Sequence, residues 1–484
     1  MTVQLAKPRI PLWIPVLALV GCAGVAVAGM NPEAPWRLAL HPETLHLPPP
    51  LPGSPALRLI TSLAPALRNL GLMAIGLALL AALVAWLRPR LLPTTSVFVL
   101  AALAYGFSGG LFLGRQSDAP HYVFLADAFV HGRFDLADEP PCPEECDWTY
   151  YQGHWTVAFP PMPAILMLPF VAWAGTGFND VVFTLLLGAL NVALVYDLLP
   201  SLGRSVSPGF ETSPRVRLAL ILLFGFGTVH WWVASVGQVW FTAQIVAVTF
   251  LLLALREAFA RGRPILVAAW LALSALARPP VLLALPVFLW LLSPANPPRR
   301  LALGAIPLAL AGAFMAWYDW ARFGNPFELG YRYMQIEHLL EATLQEHGPF
   351  SLAYLGQNLH YAFLDVPRLS ARWPFVIMDG WGLSIFISSP ALLLLFAAPW
   401  RQKTAQASGL AAGLVAVPSL LYYNSGYLQA GYRYSLDFLP FLVILVALAA
   451  RGRLTRLAAT LVILSLLMGF LSLVNFNMMY FEWL

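Results

Sequence analysis

Charge is what this sequence has least of. Asp, Glu, Lys and Arg make up 11% of its 484 residues, against about 25% in an ordinary soluble domain. With 59% hydrophobic residues and a mean hydropathy of +0.72, the chain has too little polar surface to cover a water-soluble body. The middle of each apolar run carries no charge. That argues against an ion-coupled transporter, whose relays and ion ligands sit at such positions. The formal net charge is +5, yet no basic run exceeds a few residues, so no nucleic-acid partner is expected. No convincing glycine-rich nucleotide loop is present, which disfavours a cytoplasmic nucleotide-sugar donor. Cysteine is scarce, at three residues, and no second ligand pair is spaced for zinc. Heptads, low-complexity tails and convincing internal repeats are also lacking.

Apolar runs recur instead, many of them long enough to cross a hydrocarbon core of ~30 Å. The expected fold class is therefore all-α, a polytopic integral membrane protein with about thirteen spans. They are placed near 12–29, 69–87, 95–113, 179–199, 217–235, 239–255, 264–277, 280–292, 301–318, 383–400, 408–422, 436–450 and 457–476. The first follows Lys7 and Arg9 in the manner of a signal peptide, but no clear small-residue cleavage site closes it, so it is read as a retained helix. The 264–292 pair is broken by Pro279 and Pro280. The segment 31–68, with "HLPPPLPGSP", is read as an outer loop.

The run "FPPMPAILMLPFVAWAG" (159–175) is left out of the spans. It is short and interrupted by Pro160, Pro161, Pro163 and Pro169. Excluding it leaves Lys7/Arg9, Arg88/Arg90, Arg204/Arg215/Arg217, Arg256/Arg261/Arg263, Arg299/Arg300, Arg401/Lys403 and Arg451/Arg453/Arg456 on one side. Counting it would put most of these on the wrong side under the positive-inside rule. The run is thus expected to lie in the outer interface as a bent or re-entrant helix. The chain is then placed in a bacterial-type inner membrane, with its N-terminus cytoplasmic and its C-terminus periplasmic. Only Asp197, Glu211 and Glu257 among the acids fall inside. Four units follow: an N-terminal helix pair with its Pro-rich loop (1–94), a core with the outer loop 114–178 (95–318), a second outer loop that could cover the site or choose the acceptor (319–382), and C-terminal helices (383–484).

The chemistry-bearing residues gather on the outer side. In "GRQSDAPHYVFLADAFVHGRFDL" (114–136), residues 119–131 read as a surface helix with Tyr122, Leu125, Ala126 and Phe129 on one face and Gly132 as its stop. Asp118 fits either that helix's cap or a carboxylate that takes a proton from an acceptor hydroxyl. Asp127, Asp135 and Asp147 are other acids of the same loop. "CPEEC" (142–146) holds either a small disulfide or two free thiols, and Cys22 is read as packing. Arg278, a lone charge between two short spans, either snorkels or binds a lipid phosphate. "DWARFGNPFELGYRY" (319–333) and "GYLQAGYRYSLDFLP" (426–440) set Arg322, Arg332 and Arg433 beside tyrosines. Such pairs bind phosphate and stack on sugars, or serve as interface anchors.

The segments "SDAPHYVFLADAFVHGRFDL" and "YYQGHWTVAFPPMPAILMLPF" resemble the first outer loop of GT-C type glycosyltransferases, in the branch of the protein O-mannosyltransferases and the lipid A aminoarabinose transferase. The resemblance runs from about residue 95 to the C-terminus, and its motifs are individually loose but correctly ordered. It implies an inverting, outer-face glycosyltransferase whose donor is a polyprenyl-phosphate-linked sugar and whose acceptor is a glycolipid, polysaccharide or protein. Asp118 would be its catalytic carboxylate, with Tyr122 beside it, and Phe159, Pro160 and Pro161 would close the loop. Arg278 and Arg433 would meet the phosphate. Tyr434 and Arg322 are further substrate-binding candidates. At the place of a second acid, "HWWVASVGQVWFTAQ" (230–244) offers only His230, Gln238 and Gln244, or else an interfacial aromatic belt. No cofactor is expected, and a divalent metal is left open. The competing classes are a lipid-linked sugar flippase and a non-catalytic envelope-assembly protein with the same fold.

Overall fold

The computed structural model describes residues 92–110, 112–206, 213–371 and 374–482, with a few positions between 14 and 78. The expected first two spans, the Pro-rich loop and Cys22 lie largely or wholly outside the described residues. The described positions inside those two spans are helical, and Ile14, Ala74 and Ala78 are buried in the main core.

The molecule is mostly helical. The helices used below are α1 (Leu92–Ser108), α2 (His121–Val130), α3 (Met162–Ala174), α4 (Asp180–Val206), α5 (Pro214–Phe226), α6 (His230–Val236), α7 (Val239–Ala260), α8 (Pro264–Ala275), α9 (Leu285–Leu292), α10 (Ala305–Phe323), α11 (His338–His347), α12 (Lys403–Leu420), α13 (Leu439–Ala450) and α14 (Arg456–Glu482). Two small antiparallel ladders qualify the all-α expectation: β1 (Thr149–Tyr151) with β2 (His154–Thr156), and β3 (Arg368–Leu369) with β4 (Val376–Ile377).

Among the described residues, four helices are long and apolar enough to cross a membrane. They are α4, α7, the stretch ending in α10, and α14. The pair α5 and α6, bent by 51° at 227–229, makes a fifth if it counts as one span. Other expected spans are shorter than a membrane crossing: α8 stops at Ala275, and α13 has 12 residues. The expected span 383–400 is not one helix. Its chain forms a four-residue α-turn, Ile385–Ser388, then a 3₁₀ segment, Pro390–Ala397. The Ser384 side chain accepts from the Phe386 N–H, and Pro390 supplies no N–H, so an α-ladder cannot run through.

Helices α4 and α7 form the centre, with α1, α8 and α6 against them. The core mixes Leu, Val, Ala and Phe, with Tyr105, Trp232 and Phe224 fully buried. The loop 114–178 has its own apolar core, in which Tyr122, Leu125 and Ala126 of α2 pack with Trp148, Met167 and Val171. Met162 at the start of α3 donates to Leu276 O at 3.1 Å, which pins the loop to the break after α8. That break falls where the paired prolines predict it, with Arg278 in extended backbone before a 3₁₀ turn, Pro279–Ala284.

Candidate functional site

The start of α7, the end of α8, the end of α10, the end of α12 and the start of α13 all contribute to one region. Packed neighbours that run antiparallel bring alternate starts and ends to one end of the bundle. The acids expected on the opposite side are paired there: Asp197 with Arg256, and Glu257 with Arg263 at 2.7 and 2.8 Å.

Three arginines reach the region, and their states differ. Arg278 lies against Asp437, which is 2% exposed, with Nη2 to Oδ2 at 2.6 Å and Nε to Oδ1 at 3.1 Å. This partner is a carboxylate 159 positions away in the chain. Arg322 is buried in the last turn of α10. It donates to Asp319 Oδ1 and to Val157 O, each at 2.5 Å, with its guanidinium 3.8 Å from the Tyr318 ring centre. These contacts tie α10 to the loop 114–178 through Arg322. Arg433 is 5% exposed and has no ion-pair partner among the described residues. Its Nε is buried without a hydrogen-bond partner. Its guanidinium lies 4.9 Å from the Tyr434 ring centre and 5.6 Å from that of Phe241. Its backbone is fixed from two sides: Gln244 Nε2 donates to Arg433 O, and Arg433 N donates to Gln429 Oε1, both at 3.0 Å.

Asp147 lies within electrostatic reach of this cation. The Trp240 indole N–H donates to its Oδ2 at 2.8 Å, and its backbone N–H donates to Gln335 O at 2.9 Å. It takes a left-handed φ of 62°, which Asp tolerates better than most residues. Burial pushes its carboxyl up to about 6, against the opposing pull of the Trp240 N–H and the Arg433 charge. The turn before it is closed by a Cys142–Cys146 disulfide, so the open choice at "CPEEC" resolves to the bonded form. Beyond Cys146, His121 Nε2 lies 2.9 Å from Cys146 O, and the His121 ring stacks on Trp148 at 3.7 Å. Burial lowers His121 to about 4, so it is a neutral packing group near pH 7.

Phenols line the space between. Tyr434 sits between Arg278, at 5.5 Å, and Arg433. Tyr331 is pushed up to about 12 by burial, with Arg278 and Arg322 opposing the shift. Tyr422 and Tyr423 are also raised by burial, and Asp147 adds to the shift of Tyr423. Tyr122 of α2 is buried with an unpartnered hydroxyl, in the electrostatic reach of Tyr331 and Arg278.

The region thus gathers Tyr122, Arg278, Arg322, Arg433 and Tyr434 from the sequence candidates. Asp118 lies apart from these contacts. It is exposed, with Arg115 at 3.5 Å, and burial raises its carboxyl only against that neighbour's pull. It does not cap α2 either: the N-cap is Pro120, with no side-chain cap bond. His230 is fully buried between Tyr105, whose hydroxyl lies 3.0 Å from Nδ1, and Asn191. With Trp232 also fully buried, the 230–232 stretch is core and not an aromatic belt. Gln238, with a φ of 72°, is the N-cap of α7 and makes no side-chain cap bond. Asp147 was one acid among eight in the loop 114–178, and Asp437, Tyr422 and Tyr423 carried no local signal. The available hint for Asp147 was its place between a two-cysteine turn and a tryptophan, where a charge is held rather than solvated.

No protein-family model matches this chain, no curated protein matches it, and no solved structure matches its fold.

Proposed function

We propose that the chain is an inverting, membrane-embedded glycosyltransferase of GT-C type. It would take a polyprenyl-phosphate-linked sugar and transfer it to an acceptor hydroxyl on the outer face of a bacterial-type inner membrane. A polytopic membrane architecture and the outward placement of loop 114–178 belong to this proposal. The observation that carries it is the buried guanidinium of Arg433, with an unpartnered Nε and no ion pair among the described residues, packed on the Tyr434 and Phe241 rings. A buried cation without a counter-ion is costly unless an anion arrives, and a phosphate matches a guanidinium in both charge and geometry.

The donor phosphate would sit at Arg433, and Arg278 would hold Tyr434 and Asp437 in place around it. The acceptor oxygen attacks the anomeric carbon from the face opposite the phosphate. The bond from that carbon to the phosphate oxygen breaks, and its electron pair leaves on the lipid phosphate. The acceptor proton passes to a carboxylate. Asp147 suits this step better than Asp118, because its raised carboxyl is a stronger base and lies in the field of Arg433. Positioning and stabilisation of the leaving phosphate supply the rest of the rate.

The experiment is transfer from a panel of polyprenyl-phosphate sugars by the purified full chain in lipid. Asp147→Asn and Asp118→Asn are compared. Loss of transfer in Asp147→Asn with retention in Asp118→Asn supports the assignment. The reverse pattern returns the role to Asp118, and no transfer by the wild type from any donor rejects the function.

A further inference from the structure

A cavity lies beside the end of α14, and neither Arg433 nor Asp147 is among its lining residues. Its volume is about 310 Å³, near the lower end of the ~300–1,000 Å³ typical of small-molecule sites. Trp381, Tyr427, Asp379, Arg368, Leu428 and Met479 line it. The Trp381 and Tyr427 rings meet at 4.8 Å and 45°, presenting two aromatic surfaces to one space. Asp379 Oδ1 accepts the Trp381 N–H at 2.8 Å, and Oδ2 has no protein hydrogen bond among the described residues. Arg368 is exposed and has no ion-pair partner among them.

The cavity is built rather than incidental. Leu428 holds a left-handed φ of 50°, a conformation that a bulky side chain keeps only where its surroundings enforce it. Gln429, fully buried, does the enforcing. Its N–H donates to Gly380 O at 3.0 Å, and its Nε2 donates to Trp381 O at 2.5 Å. The Oε1 of that amide accepts the Arg433 N–H at 3.0 Å. One glutamine therefore braces both the floor of this cavity and the backbone of the unpaired arginine.

We propose that this cavity is a saccharide-binding site that holds the acceptor glycan, separate from the donor phosphate site. Flat aromatic faces take the C–H faces of a pyranose ring, a free carboxylate oxygen takes its hydroxyl donors, and a guanidinium donates to its oxygens. A single charge of each sign favours an uncharged sugar over an anionic one. The acceptor role rests on the glycosyltransferase reading; the saccharide site itself does not.

The test uses the full chain in lipid nanodiscs and needs no donor. The probes are the methyl glycosides of glucose, galactose, mannose and N-acetylglucosamine, read by saturation-transfer NMR. At least one binds saturably. Trp381→Ala and Asp379→Asn each weaken it roughly tenfold or more, and Trp381→Phe keeps most of it. No binding by the wild type, or binding that survives both Trp381→Ala and Asp379→Asn, overturns the site. In a transfer assay, Trp381→Ala raises the acceptor KM and leaves the donor KM and the hydrolysis of donor by water unchanged. An unchanged acceptor KM overturns the acceptor role. Glycoside binding at Trp381 in a protein that transfers nothing keeps the site and rejects the transferase reading.

Discussion

The Trp240 indole N–H, on the first turn of α7, donates to Asp147 Oδ2 at 2.8 Å across 93 positions of chain. This bond ties the loop 114–178 to the central helix layer, and it leaves the Asp147 carboxylate without a basic partner in an ion pair among the described residues.

Asp147 makes activity and stability depend on pH in opposite senses. As a base it works only when ionised, so transfer rises as pH climbs through about 6. Its carboxyl holds a proton more tightly in the folded state than in the unfolded chain. Its contribution to stability is therefore largest at low pH and falls between the ordinary carboxylate range and about 6. Glu337 adds to this upward shift. Asp147→Asn flattens both profiles in a pH-rate series and a pH-melting series. A wild-type rate that is flat between pH 5 and 7 contradicts the role.

Asp437→Asn leaves the Arg278 guanidinium largely buried without its carboxylate. Breaking such a pair from one side costs about 3 kcal/mol, while removing both partners costs less. Thermal unfolding of Asp437→Asn, Arg278→Gln and the double variant in lipid reads this directly. The double variant is expected to be more stable than the sum of the two losses predicts.

The disulfide closes only a five-residue turn, so its chain-entropy contribution is modest, about 2 kcal/mol. Its larger effect is expected on geometry, because Cys146 immediately precedes Asp147. Alkylation without reductant labels neither Cys142 nor Cys146. Cys142→Ser with Cys146→Ser lowers transfer more than it lowers the melting temperature.

The sequence marked those features whose signal is local. Apolar length marked α4, α7 and α14. The paired prolines marked the break before Arg278, and proline content set 159–175 apart as the short α3. The same counting misread 383–400, because apolar composition does not register that Ser384 and Pro390 redirect the backbone hydrogen bonds. The site was hidden for a different reason. Arg278 looked like a free cation because its counter-ion lies 159 positions on, and Asp147 looked like any loop acid because Trp240 is equally remote in sequence. Only three-dimensional packing separates the one unpaired arginine from the two paired ones.

The central claim is that Arg433 receives the phosphate of a lipid-linked donor. Charge-assisted contacts of this kind are worth about 1.5–3 kcal/mol, roughly 10- to 100-fold in affinity. The direct measurement is binding of polyprenyl phosphate to the full chain in nanodiscs, for wild type, Arg433→Ala and Arg433→Lys. The expected result is saturable binding by the wild type, a 10- to 100-fold loss in Arg433→Ala, and incomplete recovery in Arg433→Lys, whose ammonium lacks the planar fork. Equal binding by the wild type and Arg433→Ala, with both proteins folded, would contradict it.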